Sequence, residues 1–554
     1  MNYFYPLFKL DTLNGFVTLA IGLFSLLVLI YSFRFMQGRR QLIQYYSYII
    51  LTTFSSIIAV LSNHLILLLV FWGFLGLTLY LLINLGEDAE AVAKKTFIIV
   101  GGSDCLMILG MGIIYYLTGT FQMDKINLSF TANRLPFTVI AYLCLVVASF
   151  AKAGVMPFHT WIPDCAEFAP IPVTAFLPAS LDKLLGIYLL ARISLNLFVM
   201  NEALNIFLML IGAFTIICAV MMALIQHNAK RLLGYHAVSQ VGYMVLGIGT
   251  GTPIGIAGGI FHMLNNAIYK SGLFLTCGNV EYKTKTSELD KLGGLSKLMP
   301  ITYISCLVAS LSISGVPPFN GFVSKWMVYQ GLLLKFQTPN SKFQIITILC
   351  LVAAMFGSGL TLASFMKLIH ATFLGQPVNG KRLAVNEVSL SMWLPCVILA
   401  IICVIFGVFA QAIPLKYFIL PAIKGVTFSG TWFSGLSTLL IIIGLGLGII
   451  IFKTKAIKPL LREDKAFLGA ETTPLALESS RVSGTEFYNT IKEIGLLRGI
   501  YKKAEKGFFD IYEQAKSFVF SLSKILQYLH NGILPTYLVW CLLGMLGLFL
   551  GLFR

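Results

Sequence analysis

The chain has 554 residues, of which 57% are hydrophobic and only 11% charged, with a mean hydropathy of +0.85. Soluble domains carry about 25% charged residues, so this composition excludes a soluble globular enzyme, a disordered chain and a disulfide scaffold, and leaves an all-α polytopic membrane protein. The balance of 40 basic against 23 acidic residues, a net +17, fits loops retained on the cytoplasmic side of a membrane and not a nucleic-acid binder.

A bilayer crossing needs about 20 apolar residues. Apolar runs between charges predict helices near 12–33, 42–62, 64–85, 96–117, 135–155, 172–193, 203–226, 231–250 and 254–277, then near 298–336, 343–374, 390–413, 434–452 and 533–553. Counting 298–336 once, these make about 14 transmembrane helices. That stretch is too long for one straight span at about 1.5 Å per residue, and Pro317 and Pro318 interrupt it. A broken helix is the natural reading, since proline breaks at membrane depth are tolerated where they line a polar cavity. Basic clusters follow odd-numbered helices: Arg34, Arg39 and Arg40; Lys230 and Arg231; Lys283, Lys285, Lys291 and Lys297; Lys453, Lys455, Lys458 and Arg462. This bias places the basic loops in the cytoplasm and both termini outside. No short apolar run ends at a small-residue cleavage site, so the first helix is expected to be retained.

Residues 453–530 differ in kind, holding 22 of the 63 charged residues. From Phe487 to Leu529 apolar positions recur in steps of three and four, which predicts one long amphipathic helix. It is too charged to cross and is expected to lie on the membrane surface, ahead of a final transmembrane anchor. The chain thus divides into N-terminal helices (1–62), a first half-channel (63–200), a second half-channel (201–375), C-terminal core helices (376–453), a cytoplasmic linker with a lateral helix (454–532), and the last crossing (533–554).

An internal repeat joins the two halves: Gly154-Val-Met-Pro-Phe158 recurs 161 residues later as Gly315-Val-Pro-Pro-Phe319. Matched Gly/Pro-interrupted helices in two halves mark a transporter's polar axis. Charges stand inside apolar runs nearby: Lys152, Lys183, Lys270 and Lys325, with Asp104 and Asp182. A lysine at mid-bilayer costs about 2.5–3.5 kcal/mol on insertion scales. One such lysine near a helix end is ordinarily a snorkelling residue, but four, two of them beside proline breaks, point to a proton or ion path. His262, Asn266 and Lys270 fall in one helical stripe, and His236, Gln240 and Tyr243 in another. Such stripes read as the lining of a water-filled path. The ten cysteines form no CxxC pair and the seven histidines no HExxH pattern, so neither a metal, a cofactor nor an iron–sulfur cluster is expected.

These motifs resemble the antiporter-like subunits of respiratory complex I, Mrp-type antiporters and group 4 membrane-bound hydrogenases. The resemblance rests on Lys152-Ala-Gly-Val-Met-Pro-Phe-His-Thr-Trp-Ile-Pro-Asp164 with Ala169-Pro-Ile-Pro-Val-Thr-Ala175, on Ala229-Lys-Arg-Leu-Leu-Gly-Tyr-His-Ala-Val-Ser-Gln-Val-Gly-Tyr243, and on Gly315-Val-Pro-Pro-Phe-Asn-Gly-Phe-Val-Ser-Lys325, and it covers roughly residues 10–450. It implies two five-helix inverted repeats, each with a broken helix, crossed by a hydrophilic axis. On this likeness Lys152 matches the lysine of the first broken helix and Lys183 the central lysine. His262 and Lys270 match the second half-channel, and Lys325 the terminal lysine. Asp104 resembles an acidic position of some members, and Lys230 and His236 join the same proton/ion path. The surface helix resembles the lateral helix of the distal complex I subunit, though shorter.

Two departures stand out. Gly73, in Phe71-Trp72-Gly73, replaces a family glutamate, and Asn266 replaces the second histidine of an H-x-x-x-H pair. The first helix is expected to align with the family's third. With no cluster ligands and no nucleotide fingerprint, the chain itself is expected to carry no redox centre. The resemblance implies an ion-translocating subunit, moving H⁺ or Na⁺, of a multi-subunit redox-driven complex in a bacterial or archaeal cytoplasmic membrane. Its partners are other membrane subunits and the lipid bilayer, not nucleic acid. The rivals are an Mrp-type secondary cation/proton antiporter subunit, and a degenerate scaffold or inorganic-carbon uptake subunit in which Gly73 marks a lost proton path. Asp104 or Asp182 is expected to approach Lys152 or Lys183 in place of the missing glutamate.

Overall fold

The computed structural model describes residues 7–130, 135–337, 343–375, 385–423, 425–426, 434–453 and 488–552. The chain divides into two compact units, Met1–Lys492 and Glu493–Arg554. The first opens with α1 (Thr12–Phe35), which Asp11 starts by accepting from the backbone of Leu13 and Asn14 while Asn14 returns a bond to Asp11 N. This reciprocal box satisfies donors that a helix start leaves open. Then come α2 (Leu42–Leu61), α3 (Leu65–Ile83), α4 (Glu90–Thr118), α5 (Leu135–Ala153), α6 (Trp161–Phe168) and α7 (Ile171–Leu197). Next are α8 (Glu202–Leu224), α9 (Ala229–Gly249) and α10 (Pro253–Thr284), capped in turn by Asn201, Asn228 and Thr252. The unit continues through α11 (Pro300–Ser314), α12 (Asn320–Gln337), α13 (Gln344–Leu374), α14 (Leu390–Val408) and α15 (Ser434–Lys453), and the short α16 (Asn489–Glu493) straddles the division.

Each apolar run in the sequence carries helix where described, and ten of the described helices are long and apolar enough to cross a membrane. α9 and α10 fall outside that set although each exceeds 20 residues, because their polar side chains dilute the hydropathy. Those side chains are hidden. α9 and α10 are buried along nearly their whole length, and the apolar window of α7 is wholly enclosed. The three helices are therefore the centre of the unit, where polar groups meet protein instead of lipid.

Backbone approach there depends on glycine. A Cβ on Gly242 of α9 would lie 2.6 Å from the Gly212 carbonyl oxygen of α8, and one on Gly249 would lie 2.7 Å from Met209 N. The small-residue seam lets α8 and α9 touch through backbone, the packing mode that membrane helices favour.

Two helices are interrupted, as the repeat implied. The first break runs from Gly154 to Thr160 between α5 and α6, the second from Gly315 to Phe319 between α11 and α12. Each begins with a glycine in the left-handed region, φ +77° at Gly154 and +78° at Gly315, a conformation that L side chains rarely adopt. α7 departs from regularity differently. It widens to a π turn over Leu177–Leu181, where Pro178 brings no N–H. The nearby carbonyls of Ala175 and Ala179 accept from Ser271 Oγ (3.0 Å) and Asn266 Nδ2 (3.4 Å) of α10.

The second unit holds α17 (Gly495–Glu505), α18 (Ile511–Leu529) and α19 (Leu534–Leu552). The single surface helix read from the apolar stripe is thus in pieces. Gly507 turns the chain with φ +72°, and Asp510 then caps a fresh helix by accepting from Tyr512 N. An apolar stripe carries across such a turn, because side-chain spacing registers neither a positive φ nor a cap. The expected charged linker at 454–487 lies outside the described residues.

Candidate functional site

The sequence-picked charges assemble on α5, α7, α9, α10 and α12. Lys152, Lys183, His236, His262 and Lys270 are fully buried, Asp182 and Lys325 almost so. Burying this many ionisable groups is costly unless they are paired or hydrogen-bonded.

In the first half, Lys152 Nζ lies 3.7 Å from Asp182 Oδ1 and 5.6 Å from the centre of the Trp72 ring. The separation exceeds a hydrogen bond. Lys152 Nζ, both Asp182 oxygens and Asp104 Oδ1 are buried with no hydrogen-bond partner among the described residues. Asp104, on α4, is within electrostatic reach of Lys152. The expected approach of an acid to the first-half lysine is realised by Asp182, from the helix that also carries Lys183.

Lys183 does something else. Its ammonium donates to the Ala153 carbonyl at the end of α5. The first break leaves that carbonyl without a helical donor, and Trp161 Nε1 takes the neighbouring Ala151 carbonyl at 3.0 Å. The second break is tied the same way, Lys325 Nζ donating to the Ile313 carbonyl at 2.9 Å. Both lysines therefore stabilise a helix end as well as carrying charge.

In the second half, Lys270 Nζ donates to the Leu233 carbonyl at 2.7 Å and sits 5.7 Å from the Phe365 ring centre. It is within electrostatic reach of Lys183 and of His236, and so links the Lys183 and His236 groups. His236 Nε2 pairs with Ser364 Oγ of α13 at 2.7 Å, while its Nδ1 has no hydrogen-bond partner among the described residues. His262 is fully engaged: Nδ1 with Ser324 Oγ at 2.9 Å, Nε2 with Gln240 Oε1 and Tyr269 OH, each at 3.2 Å. Lys325 Nζ rests 4.6 Å from the Tyr243 ring centre, whose hydroxyl reaches Ser358 at 2.9 Å.

The stripes read from the sequence are partly redistributed. Gln240 and Tyr243 do meet the His262–Lys325 group, but Asn266 turns to the π turn of α7, and Tyr269 is the residue of α10 that reaches His262. Spacing tells which face a residue occupies, not which neighbouring helix receives it. Lys230 stands apart, 3.2 Å from Glu281 Oε1, whose second oxygen is buried with no hydrogen-bond partner among the described residues. Gly73 lies on the exposed side of α3, and a Cβ there meets open space, whereas Trp72 is the residue of that stretch that faces Lys152.

Sequence reasoning passed over Glu281, Ser364 and Lys367. Lys367 is buried inside the apolar run 343–374, and donates to the carbonyls of Leu224 and Gln226, both at 2.9 Å. The criterion that singled out the other lysines, a charge inside an apolar run, applies equally to it.

Comparison with known proteins bears on the whole arrangement. Residues 62–356, more than half of the chain, match the family described as NADH:quinone oxidoreductase/Mrp antiporter, TM. The chain is 31% identical over 421 residues to Na(+)/H(+) antiporter subunit A1 of Staphylococcus saprophyticus, covering 72% of this chain and 52% of that protein. It is 30% identical over 402 residues to the subunit A1 of Staphylococcus epidermidis, covering 69% and 50%. The chain thus spans about half the length of the curated relatives it matches. Its fold is similar to a chain in the structure of the Mrp complex from Dietzia sp. DQ12-45-1b, at a TM-score of 0.65 and 22% identity over 73% of this chain and 82% of that one. It is also similar to a chain of the membrane-bound sulfane sulfur reductase, an archaeal respiratory membrane complex, at a TM-score of 0.78 and 23% identity over 98% of this chain and 89% of that one.

Proposed function

Because the chain belongs to the NADH:quinone oxidoreductase/Mrp antiporter family of membrane proteins, we propose that it is an ion-translocating subunit, moving H⁺ or Na⁺, of a multi-subunit redox or antiporter complex. The observation that carries this reading is the buried series of Lys152 with Asp182, Lys183, Lys270, His236, and His262 with Lys325, each within bonding distance or electrostatic reach of the next. A lysine ammonium can give up a proton and take one back, which suits a buried series of them to relay. Asp104 modulates the first half and Lys230 the entrance to the second. The chain holds neither cluster ligands nor a nucleotide fingerprint in its sequence, so energy reaches it from partner subunits, through shape or charge.

The same reading takes the fourteen helical runs as crossings and residues 63–200 and 201–375 as the inverted repeats. It puts the basic loops and the 454–532 segment on the cytoplasmic side of a bacterial or archaeal membrane, with 533–554 as the anchor. The paired breaks, each opened by a left-handed glycine and tied by a lysine, support the two-repeat assignment. The test is Lys183→Ala in the assembled complex, reconstituted in vesicles. Ion movement should fall to background while the subunit still assembles, and unchanged movement removes Lys183 from the path.

A second reading, an Mrp-type secondary antiporter subunit, is favoured by the relatives named as Na(+)/H(+) antiporter subunits. Flux driven by an imposed Na⁺ or pH gradient, with no redox substrate present, separates the two.

A further inference from the structure

A buried lysine that the path does not use, Lys367 of α13, lies beside the end of α8. We propose that Lys367 is a gating residue that separates the buried His236–Ser364 pair from solvent on the face of the loop that carries Asp290. The inference rests on the translocation reading above and names the point at which that path opens.

The geometry has three layers. Deepest is Ser364 Oγ, 2.7 Å from His236 Nε2 and fully buried. Lys367 follows three residues later on α13, on the same helical face. Ser364 lies one turn nearer the N-terminus of α13 than Lys367, which places Lys367 on the side of Ser364 toward the end of that helix. Its ammonium is fastened to the carbonyls of Leu224 and Gln226, at the end of α8. Outermost is an exposed pair, His227 Nδ1 and Asp290 Oδ2, 2.8 Å apart. The backbone joins these layers: Gln226 immediately precedes His227, whose carbonyl accepts from Leu289 N at 2.8 Å. Asp290 is within electrostatic reach of Lys367.

A lysine placed only to satisfy a helix end could snorkel with its ammonium in water. This one is 4% exposed and spends its bonds on two carbonyls that border the solvent-facing pair. The bonds to the two carbonyls hold the ammonium in place, with Asp290 within electrostatic reach, and release of those bonds is the step that would open the gate. Ionisable groups near it include His227 and Asp290 at the surface, His236 beneath, His370 exposed on the next turn of α13, and Tyr488, whose hydroxyl donates to the Ala363 carbonyl.

The test is accessibility. Ser364→Cys is introduced in the full complex in native membranes, and its labelling by a membrane-impermeant maleimide is followed from each face, against protein lacking the new thiol. Labelling should be slow with Lys367 intact. In Lys367→Ala it should quicken at least about tenfold from the face of the Asp290 loop only, the factor that a single lost charge-assisted hydrogen bond corresponds to. Lys367→Gln keeps a donor and should fall between, so it carries the test if the alanine variant does not accumulate, and Lys367→Arg should restore slow labelling. Rates equal to wild type in both Lys367→Ala and Lys367→Gln, or acceleration from the opposite face, overturn the proposal. The readout needs no ion flux, so an inert complex would refute translocation while leaving the gate testable.

Discussion

Asp182 offers the most exacting test, because it answers to two lysines at once. Its carboxylate is 3.7 Å from Lys152 Nζ, and Lys183 is its neighbour in sequence and in charge. Two unit charges about 4 Å apart attract by about 4 kcal/mol at an effective dielectric of about 20, in line with the roughly 3–5 kcal/mol lost when one partner of a buried pair is removed. Asp182→Asn should therefore destabilise the protein by about that amount, less whatever Lys152 recovers by shedding its proton. Lys152→Met should cost less, because Asp182 keeps Lys183. The double variant should regain most of the loss, since a neutral pair of similar volume is often as stable as a buried ion pair. Thermal unfolding of the purified protein in detergent, read for all four proteins, gives the coupling directly. If the two single losses simply add in the double variant, the pair is not an energetic unit and the first-half argument fails.

Further outcomes follow from the packing. Gly242→Ala would drive a methyl to 2.6 Å from the Gly212 carbonyl oxygen, and backbone cannot yield as a side chain can. An overpacking loss of about 1–3 kcal/mol is expected in the same melting assay. Glu387 accepts from Ile301 N, Thr302 N and Thr302 Oγ1 at the start of α11, so Glu387→Ala should cost about 1–2 kcal/mol, as a lost helix cap does, with Glu387→Gln retaining part of it. Gly73→Glu should assemble normally, because its Cβ meets open space on an exposed face. It should not raise translocation per turnover in vesicles, and a clear rise would show that the new carboxylate reaches Lys152 after all.

Much of this architecture can be read from residues alone, for a physical reason. Apolar runs of crossing length and prolines inside them are local facts, and they locate the helices and the break at Pro317 and Pro318. The buried lysines are legible because a charge in an apolar run contradicts its surroundings. What depends on partners across the fold is not legible. Nothing local says that Asp182 turns toward Lys152 and leaves the adjacent Lys183 to a backbone carbonyl, or that Asn266 serves the π turn of α7. Lys367 meets the same criterion, but nothing local tells that its ammonium reaches the carbonyls of Leu224 and Gln226. The C-terminal stripe misled in the opposite sense, since its periodicity passes through Gly507 while the helix does not.

Where Lys183 and Lys325 tie the two helix breaks, charge and shape share one atom. An ammonium group holds a carbonyl more tightly than a neutral amine does, so every proton that leaves such a lysine also loosens a backbone joint. If these ammoniums are proton sites of the proposed path, the stiffness of each break follows their protonation. On that reading the two joints act as transducers. A shift of charge becomes a change in the force between helix segments, and a push on those segments from a neighbouring subunit returns as a change in proton affinity. Reciprocity of this kind is required of any two coupled equilibria, and it lets a protein with no redox centre in its sequence feel, and answer, work done elsewhere in an assembly.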